Sequence, residues 1–540
     1  MSSGFNRREF LGMSGATMMT GVLGNGAGQP PTPDVTNSTD AAVAGQDLKK
    51  RPNLILFMPD EMRADSLACY GNPVTKTPNF DRLAKEGTRF ANCHVQFPVC
   101  GASRCSLLTG WPTSVRGHRS LQYFLRPEEP NLFRYLRHAG YDVFWYGKND
   151  ALAAQSFYGS VTEWQDSGYA GMMSAMRTMR DLTPGSTSML YSASGDRRST
   201  SDYTNLQRAF NILDRKETDR PFCIFLPLLE PHPPYTIPED FFNMYSPSDV
   251  PAPIPPGLKR KPMYHEGIRK FDALDRLDET TFRKIRAVYY GQVSYSDWLM
   301  GELLAELEKT SHDKDTAVFL LSDHGDYAGD YGLVEKWPSG LEDCLTHVPL
   351  IGRAPGGKAG TVAEDMVELY DVMQTALDLA GARAHHTHFA RTLVPQLSGG
   401  KGDPNRAAFS EGGYNIYEPQ CFPSGTGGMY AGKQKLQNEV PVSVSRSAMV
   451  RTRTHKLIIR PQDQSELYFY GNDPEERNNL FGESSVRAVQ AELQMKLLDH
   501  FLETSGVAPF DKDSRNCPPF YPNRPDPIPA DWPTKILDKE

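Results

Sequence analysis

Four short apolar runs constrain this chain more than anything else in it. Asn53-Leu54-Ile55-Leu56-Phe57-Met58, Asp142 to Tyr146, Phe222 to Leu229 and Ala317-Val318-Phe319-Leu320-Leu321 are too short for core helices and lack the alternation of a half-solvated strand. Continuous apolar strands of this kind are buried on both faces, in a parallel sheet covered by helices. Helical sequence separates them: Asn131 to Gly140, Tyr203 to Lys216, and a long stretch from about Thr281 to Lys309. The last carries Ile285, Val288, Tyr289, Val293, Leu299 and Leu303 on one broad apolar face. The pattern predicts an α/β fold with a large, mostly parallel central sheet flanked by helices.

Each run also breaks off into polar residues. The first ends in Pro59-Asp60-Glu61, the second in Gly147-Lys148-Asn149-Asp150, the third in Glu230-Pro231-His232 and the fourth in Ser322-Asp323-His324. Open α/β sheets hold their ligands at the carboxyl ends of the strands. Side chains far apart in sequence are therefore predicted to share one edge. Asp60, Glu61, Asp323 and His324 offer oxygen with a single imidazole, which suits Ca²⁺ or Mg²⁺ better than zinc.

A strand-like run from Thr88 to Val95 leads into Cys100-Gly101-Ala102-Ser103-Arg104-Cys105-Ser106-Leu107-Leu108-Thr109-Gly110. Ser103 is predicted to open a brief helix, Arg104 to Leu108, that Gly110 stops. A cysteine just before a helix start lies in the field of unpaired N–H groups, with a guanidinium four residues on. Spacing alone suggests a reactive thiol or an anion site, against the plain alternative of a small buried hydrophobe.

The rest of the chain reads as follows. A helix is predicted near Met366 to Ala380, an irregular insertion at 151–200, and an irregular rim over the Pro-rich 236–265. The main domain spans 51–405. From 406 to 506 the strand-like pieces Ser445 to Thr452, His455 to Arg460 and Glu466 to Tyr470, then an amphipathic helix Val486 to Thr504, predict a smaller antiparallel sheet plus helix. Residues 507–540 are a Pro-rich tail. The eight cysteines form no C-x-x-C pair, so disulfides are possible but unassigned, and His385-His386-Thr387-His388 is read as surface. A net charge of -8 disfavours nucleic acid as a partner. No apolar run is long enough for a transmembrane helix. At the amino end, Asn6-Arg7-Arg8-Glu9-Phe10-Leu11 before a mildly apolar run resembles a twin-arginine export signal over 1–28, followed by a linker at 29–50. A periplasmic or extracytoplasmic address is the expectation.

Cys-x-Ala-Ser-Arg followed by Leu-Thr-Gly resembles the signature of the type I, formylglycine-dependent sulfatases of the alkaline phosphatase-like superfamily. The likeness covers most of residues 50 to 505. It implies that a formylglycine-generating enzyme or radical maturase oxidises Cys100 to formylglycine, whose hydrate is the nucleophile. It also implies that Asp60, Glu61, residue 100, Asp323 and His324 hold the divalent cation, Glu61 standing where many members carry a second aspartate. By the same resemblance Arg104 steadies the formylglycine and Lys148 contacts nucleophile and sulfate. His232, in Pro-His-x-Pro-Tyr, binds sulfate and is a candidate donor to the leaving oxygen, and Lys336, in Leu-Val-Glu-Lys-Trp, is the second sulfate-binding lysine. Attack on sulfur expels the alcohol, and C–O cleavage then releases sulfate.

Two departures bear on function. Asp150 occupies the place of a histidine thought to deprotonate the hydrate. Asp323-His324 replaces an Asp-Asn pair, as in the branch with choline sulfatases, iduronate sulfatases and phosphonate monoester hydrolases. The expected activity is desulfation of an extracellular sulfated carbohydrate. The alternatives are a phosphonate monoester or phosphodiester hydrolase, a choline-sulfatase-like enzyme, and a non-catalytic binding protein on the same fold. The basic stretch Thr113-Ser114-Val115-Arg116-Gly117-His118-Arg119 would hold a uronate carboxylate or pair with acidic loops. Tyr235, Trp337 and Tyr414 would stack on a sugar ring or pack in the core.

Overall fold

The structure, a computed structural model, describes residues 51–121, 123–165, 190, 195–215, 220–423 and 428–507. The export-signal and linker readings, nearly all of the tail and much of the 151–200 insertion lie outside the described residues.

Among the described residues, nine strands make the main sheet. They are β1 (Asn53–Met58), β2 (Thr88–His94), β3 (Asp142–Tyr146), β4 (Glu163–Gln165), β5 (Phe222–Pro227), β6 (Thr316–Leu321), β7 (His347–Val348), β8 (Leu350–Arg353) and β9 (Thr361–Glu368). Their order is β4-β3-β5-β1-β6-β8-β2-β7, with β9 also on β2. β4, β3, β5, β1 and β6 run parallel, and β8 is antiparallel to both β6 and β2. β1 is central, Leu54 lying opposite Cys223 on one side and Ala317 on the other.

The continuous apolar composition of β1 has a direct cause: both of its faces are covered. Ile55 and Phe57 pack into a core with Phe80, Leu206, Ile285 and Leu299, whose helices are Pro78–Glu86, Ser201–Leu213 and Glu279–Glu308. Leu54, Leu56 and Met58 face the opposite core, with Leu107, Phe133 and Met373 from helices Cys100–Thr109, Leu132–His138 and Asp371–Leu379. Each such side chain contributes about 1.5–3 kcal/mol by leaving water, which pins the register of the strand that carries Asp60.

A second sheet is antiparallel in the order β10 (Ala408–Gly412), β11 (Ser447–Arg451), β12 (His455–Ile459), β13 (Glu466–Phe469). The terminal helix Arg487–Thr504 lays Leu493 and Leu497 on Val450, Leu457 and Leu467.

Several expectations are corrected. Met366 to Glu368, expected to begin a helix, instead end β9, because β2 supplies parallel backbone partners from Thr88 to His94. The helix begins only at Asp371, where Arg406 bridges Asp371 and Glu368. The third apolar run leaves the sheet at Pro227, because the Asp202 carboxylate takes the N–H groups of Leu229 (2.9 Å) and Glu230 (2.9 Å) and turns the chain. The rim segment contains a helical turn, Glu239–Phe242, and ends in the start of a helix, Tyr264–Phe271, and the insertion adds β4 to the edge of the sheet. His386 is not at the surface: its Nε2–H donates to the Thr109 carbonyl (2.7 Å) and its Nδ1 accepts from the Tyr135 hydroxyl (2.7 Å). It thereby ties down the carboxyl end of the Cys100 helix. Cys69, Cys93, Cys100, Cys105, Cys223, Cys344 and Cys421 are all free thiols. Among the described residues, no helix is long and apolar enough to cross a membrane.

Candidate active site

The neighbouring parallel strands β3, β5, β1 and β6 release the chain at the same sheet edge, so Lys148, His232, Asp60 and Asp323 meet there. The strand ends touch closely: Lys148 N–H donates to the Pro227 carbonyl (2.8 Å), and a Cβ on Gly147 would lie 2.2 Å from that oxygen. Against this edge stands the helix Cys100–Thr109, every residue of which is buried. It begins four residues before Arg104, where the sequence reading placed its start. Ser103 N–H already bonds the Val99 carbonyl (2.9 Å), so Ser103 closes the first turn and Cys100 is its first residue. The N–H groups of Cys100, Gly101 and Ala102 fall outside the intrahelical ladder and leave a positive field at that end.

Cys100 has no exposed surface. Its Sγ lies 3.1 Å from His324 Nε2, 3.5 Å from Asp60 Oδ1 and 3.5 Å from Lys148 Nζ. Burial, reinforced by Asp60, pushes the thiol well up, so it stays protonated at neutral pH. His324 Nδ1 sits 2.8 Å from the Gly325 carbonyl, which assigns the proton to Nδ1 and leaves the Nε2 lone pair facing Cys100. Burial also pulls His324 down, which keeps the ring neutral.

Arg104 is the hub. Its Nε donates to Asp323 Oδ2 (2.8 Å), Nη2 to Asp60 Oδ2 (3.0 Å) and Nη1 to the Lys148 carbonyl (3.2 Å). Lys148 Nζ adds an ion pair to Asp60 and another to Asp150 (3.1 Å). Burial by itself would raise Asp60, but the Lys148 and Arg104 cations outweigh it and hold the carboxyl well below its usual range.

The opposite wall centres on Lys336. Its ammonium contacts Glu61, Glu335 Oε1 (2.5 Å) and His232 Nε2 (3.3 Å), and His232 Nε2 lies 3.2 Å from Glu61 Oε1. Burial works against Lys336, yet the Glu335 and Glu61 carboxylates around it hold its pKa well up. Burial would likewise raise Glu335, but Lys336 and Lys433 bring it down to about 2. Lys433 spends its three donors on Glu335 Oε2 (2.6 Å), the Val334 carbonyl (2.8 Å) and the Lys336 carbonyl (2.8 Å). Glu61 and Glu335 both have φ of 62°, the left-handed region, a strain of about 1–3 kcal/mol each that the surrounding bonds must offset. Glu61 is pinned by its own N–H to Asp323 Oδ1 (3.1 Å) and by the Tyr289 hydroxyl on its carbonyl (2.8 Å).

Two overlapping groups suit a cation: Asp60, Glu61, Cys100 and His232, and Asp60, Cys100, Asp323 and His324, with ligand atoms in each lying within 4.8 Å of one another. Glu61 Oε2 is buried and meets no donor among the described residues, an orphaned oxygen that a cation would satisfy. Each group offers two carboxylates, one imidazole and the side chain of residue 100, a set that fits a divalent cation.

All of the sequence-predicted residues therefore converge, Asp150 through its pairing with Lys148. Sequence reasoning missed Glu335, Lys433 and Tyr430, whose hydroxyl is 3.3 Å from His232 Nε2. Lys433 reads locally as a surface lysine on a polar helix, and only a contact across 98 residues of sequence gives it a role. The stretch 113–119 settles mostly on acidic loops: Arg119 pairs with Glu418 (3.0 Å) and His118 with Glu129 (3.0 Å). Tyr235 and Trp337 are wholly buried, bonded to Asp326 (2.8 Å) and the Ser443 carbonyl (2.8 Å), and Tyr414 is 5% exposed.

A family model described as Sulfatase matches residues 52–382. The chain is 26% identical over 363 residues to an arylsulfatase of Clostridium perfringens, covering 61% of this chain and 75% of that protein. It is 24% identical over 518 residues to an N-acetylglucosamine-6-O-sulfatase of Bacteroides thetaiotaomicron, covering 83% and 86%. The fold matches the crystal structure of a phosphonate monoester hydrolase of Agrobacterium radiobacter with a TM-score of 0.68, at 22% identity, over 84% of this chain and 96% of that one.

Proposed function

The chain belongs to the sulfatase family, and from that footing we propose that it hydrolyses a sulfate monoester carried on a carbohydrate. In this reading residue 100 is formylglycine, made from Cys100, and Asp60, Glu61, Asp323 and His324 hold Ca²⁺ or, alternatively, Mg²⁺. The carrying observation is the buried meeting of Cys100 with Asp60, His324 and Lys148 at a helix start. The formylglycine reading is supported by the Cys-x-Ala-Ser-Arg signature that opens this helix. The aldehyde hydrate would supply an oxygen nucleophile, and the cation would lower its pKa and take up charge on a sulfate oxygen.

The remaining work falls to side chains already in position. Arg104 bridges Asp60 and Asp323 and fixes how both carboxylates are turned. Lys148 and Lys336, on opposite walls, present fixed positive charge to sulfate oxygens in a site shielded from water, where preorganised charge counts most. His232, Lys336 and Tyr430 form one hydrogen-bonded set able to deliver a proton to the departing alcohol oxygen. Asp150, ion-paired with Lys148, fits an orienting role for that ammonium better than a separate base. Relatives named as an arylsulfatase and an N-acetylglucosamine-6-O-sulfatase support the sulfated-sugar substrate. The twin-arginine-like amino end supports export after the folded protein has met its maturase.

The test combines peptide mass analysis with turnover. The peptide containing residue 100 is expected to carry CHO in place of CH₂SH. Sulfate release from sulfated saccharides should exceed turnover of choline sulfate and bis-nitrophenyl phosphate. Cys100→Ala should lose more than about a thousandfold in kcat/KM. An unmodified thiol with full sulfate release sinks the formylglycine reading, and faster phosphodiester turnover favours the phosphodiesterase alternative.

A further inference from the structure

Glu61 and Glu335 share two features. Both hold φ of 62°, where residues other than glycine are uncommon, and both carboxylates contact the Lys336 ammonium. Each is also served by a buried phenol. The Tyr289 hydroxyl donates to the Glu61 carbonyl (2.8 Å) and accepts the Arg63 N–H (2.9 Å). The Tyr235 hydroxyl donates to the Asp326 carboxylate (2.8 Å) and accepts the Glu335 N–H (3.0 Å), which Asp326 Oδ1 shares (3.0 Å). Neither tyrosine has exposed surface, and the two rings meet edge to face with centroids 6.4 Å apart. Neither can reach a substrate, so any influence on the reaction passes through the backbone groups they hold.

We infer that Tyr235 and Tyr289 are positioning residues: by locking the two glutamates in the left-handed conformation, they set where Lys336 stands. The inference rests on the sulfatase reading for what Lys336 acts upon, whereas the hydrogen bonds do not depend on it. A left-handed residue with a side chain persists only where its surroundings over-determine it. At Glu61 one phenol ties the carbonyl of that residue to the N–H two residues on, so relaxing Glu61 would pull its carbonyl off the hydroxyl. At Glu335 the tied group is the N–H itself. Rotation in φ turns about the bond from that nitrogen, so a released N–H lets the side chain swing, and the ammonium it grips goes with it. Packing explains the rings but not the hydroxyls, since phenylalanine would fill the same space without burying a polar group. Each hydroxyl is instead used twice, once as donor and once as acceptor, beside a strained glutamate.

The experiment uses the full-length, formylglycine-containing protein. Tyr235→Phe and Tyr289→Phe keep the rings and remove the hydroxyls. Each is expected to lower kcat/KM for nitrophenyl sulfate by about tenfold, the order of loss a displaced charged group brings. Inorganic sulfate, titrated by calorimetry, should bind each variant more weakly by a similar factor. Tyr245→Phe is the control for losing a buried hydroxyl elsewhere, since its hydroxyl bonds Ser294 (2.7 Å) and the Lys76 N–H (2.7 Å), and it should leave both readouts near wild type. The readout that a merely structural role would not give is the same pair of substitutions in Lys336→Met. With the lysine gone, removing either hydroxyl should change kcat/KM little, whereas a general structural defect would take the same tenfold again. Melting curves check folding, and if one variant does not fold the other carries the test, each acting on its own glutamate. Wild-type kinetics in folded variants, or an undiminished loss in Lys336→Met, overturns the inference. If the wild-type protein turns over bis-nitrophenyl phosphate but no sulfate ester, the sulfatase reading fails by itself and the same comparison on the phosphodiester decides the tyrosines. Turnover of neither ester overturns both.

Discussion

Lys433 offers the sharpest test of how the site is held. Its side chain is 3% exposed, and all three ammonium donors are used on Glu335 and the carbonyls of Val334 and Lys336. Lys433→Met keeps the aliphatic stem but leaves a buried carboxylate with one counter-ion fewer and two carbonyls without donors. Breaking a buried pair of this kind costs about 3–5 kcal/mol. A folded unit of about 450 residues, at about 2.1 cal/mol/K per residue, melts with an entropy near 1 kcal/mol/K, so a loss of about 4 kcal/mol lowers Tm by about 4 °C. The functional effect should be larger than the thermal one. Glu335 sits at φ 62° and grips Lys336, and losing its second partner frees it to relax and to draw that lysine off the sulfate position. A fall of tenfold or more in kcat/KM is expected, on the order of what a misplaced charged group costs. Differential scanning calorimetry and sulfate-release kinetics read both effects. The control is Lys435→Met two residues on, at a largely exposed lysine whose pairing with Glu439 spans 3.9 Å, with an expected change under about 1 kcal/mol. If Lys433→Met melts within a degree of wild type and keeps its kcat/KM, the three bonds carry no energy and the reasoning fails.

Three further outcomes follow from the same geometry. Chelation by EDTA should abolish sulfate release and lower Tm, with Ca²⁺ restoring both, since a ligand bound only by the folded state stabilises it; full activity after exhaustive chelation and metal analysis would exclude the cation. Burial lowers His386 and His500 to about 4 each, the nearby Glu411 only partly opposing it at His500. The unfolded chain therefore takes up their protons first as pH falls, and stability drops between about pH 6.5 and pH 4 by up to about 3 kcal/mol per ring. Chemical denaturation at pH 7.5 and pH 5 checks this, and His500→Phe, in a ring stacked 4.0 Å from Phe409, should remove that ring's own share of the drop, about 2 kcal/mol. Gly147→Ala should cost more than about 2 kcal/mol and at least tenfold in kcat/KM, because φ is 138° and the new Cβ would lie 2.2 Å from the Pro227 carbonyl beside Lys148. Wild-type kinetics in that variant would show that the strand end tolerates displacement.

Much of this arrangement was legible before any coordinates. Residues 53–58 and 142–146 are strands at the limits read from the sequence, because an unbroken apolar run bounded by Pro or Gly has little else to become. The long helix was placed within two residues, its start marked by Asp278 capping Thr281 N–H (2.8 Å). Less legible were segments whose partners decide them. β9 is a strand because β2 lies beside it, and the Cys100 helix starts at Cys100 because Val99 accepts the first bond. His386 was misplaced for the same reason, its two partners lying 251 and 277 residues away.

The sequence by itself determined which residue types end each buried strand, and so which chemistry the sheet edge can hold: carboxylates, two imidazoles and a lysine around a cysteine at a helix start. That much is local, set by apolar runs and the turns that interrupt them. Only the tertiary structure decided that Arg104 would bridge Asp60 and Asp323, and that Lys433 would hold Glu335 against Lys336. Burial is the reason. A polar side chain acquires its role from what desolvates and completes it, and those neighbours come from elements distant in the chain, which no local pattern encodes.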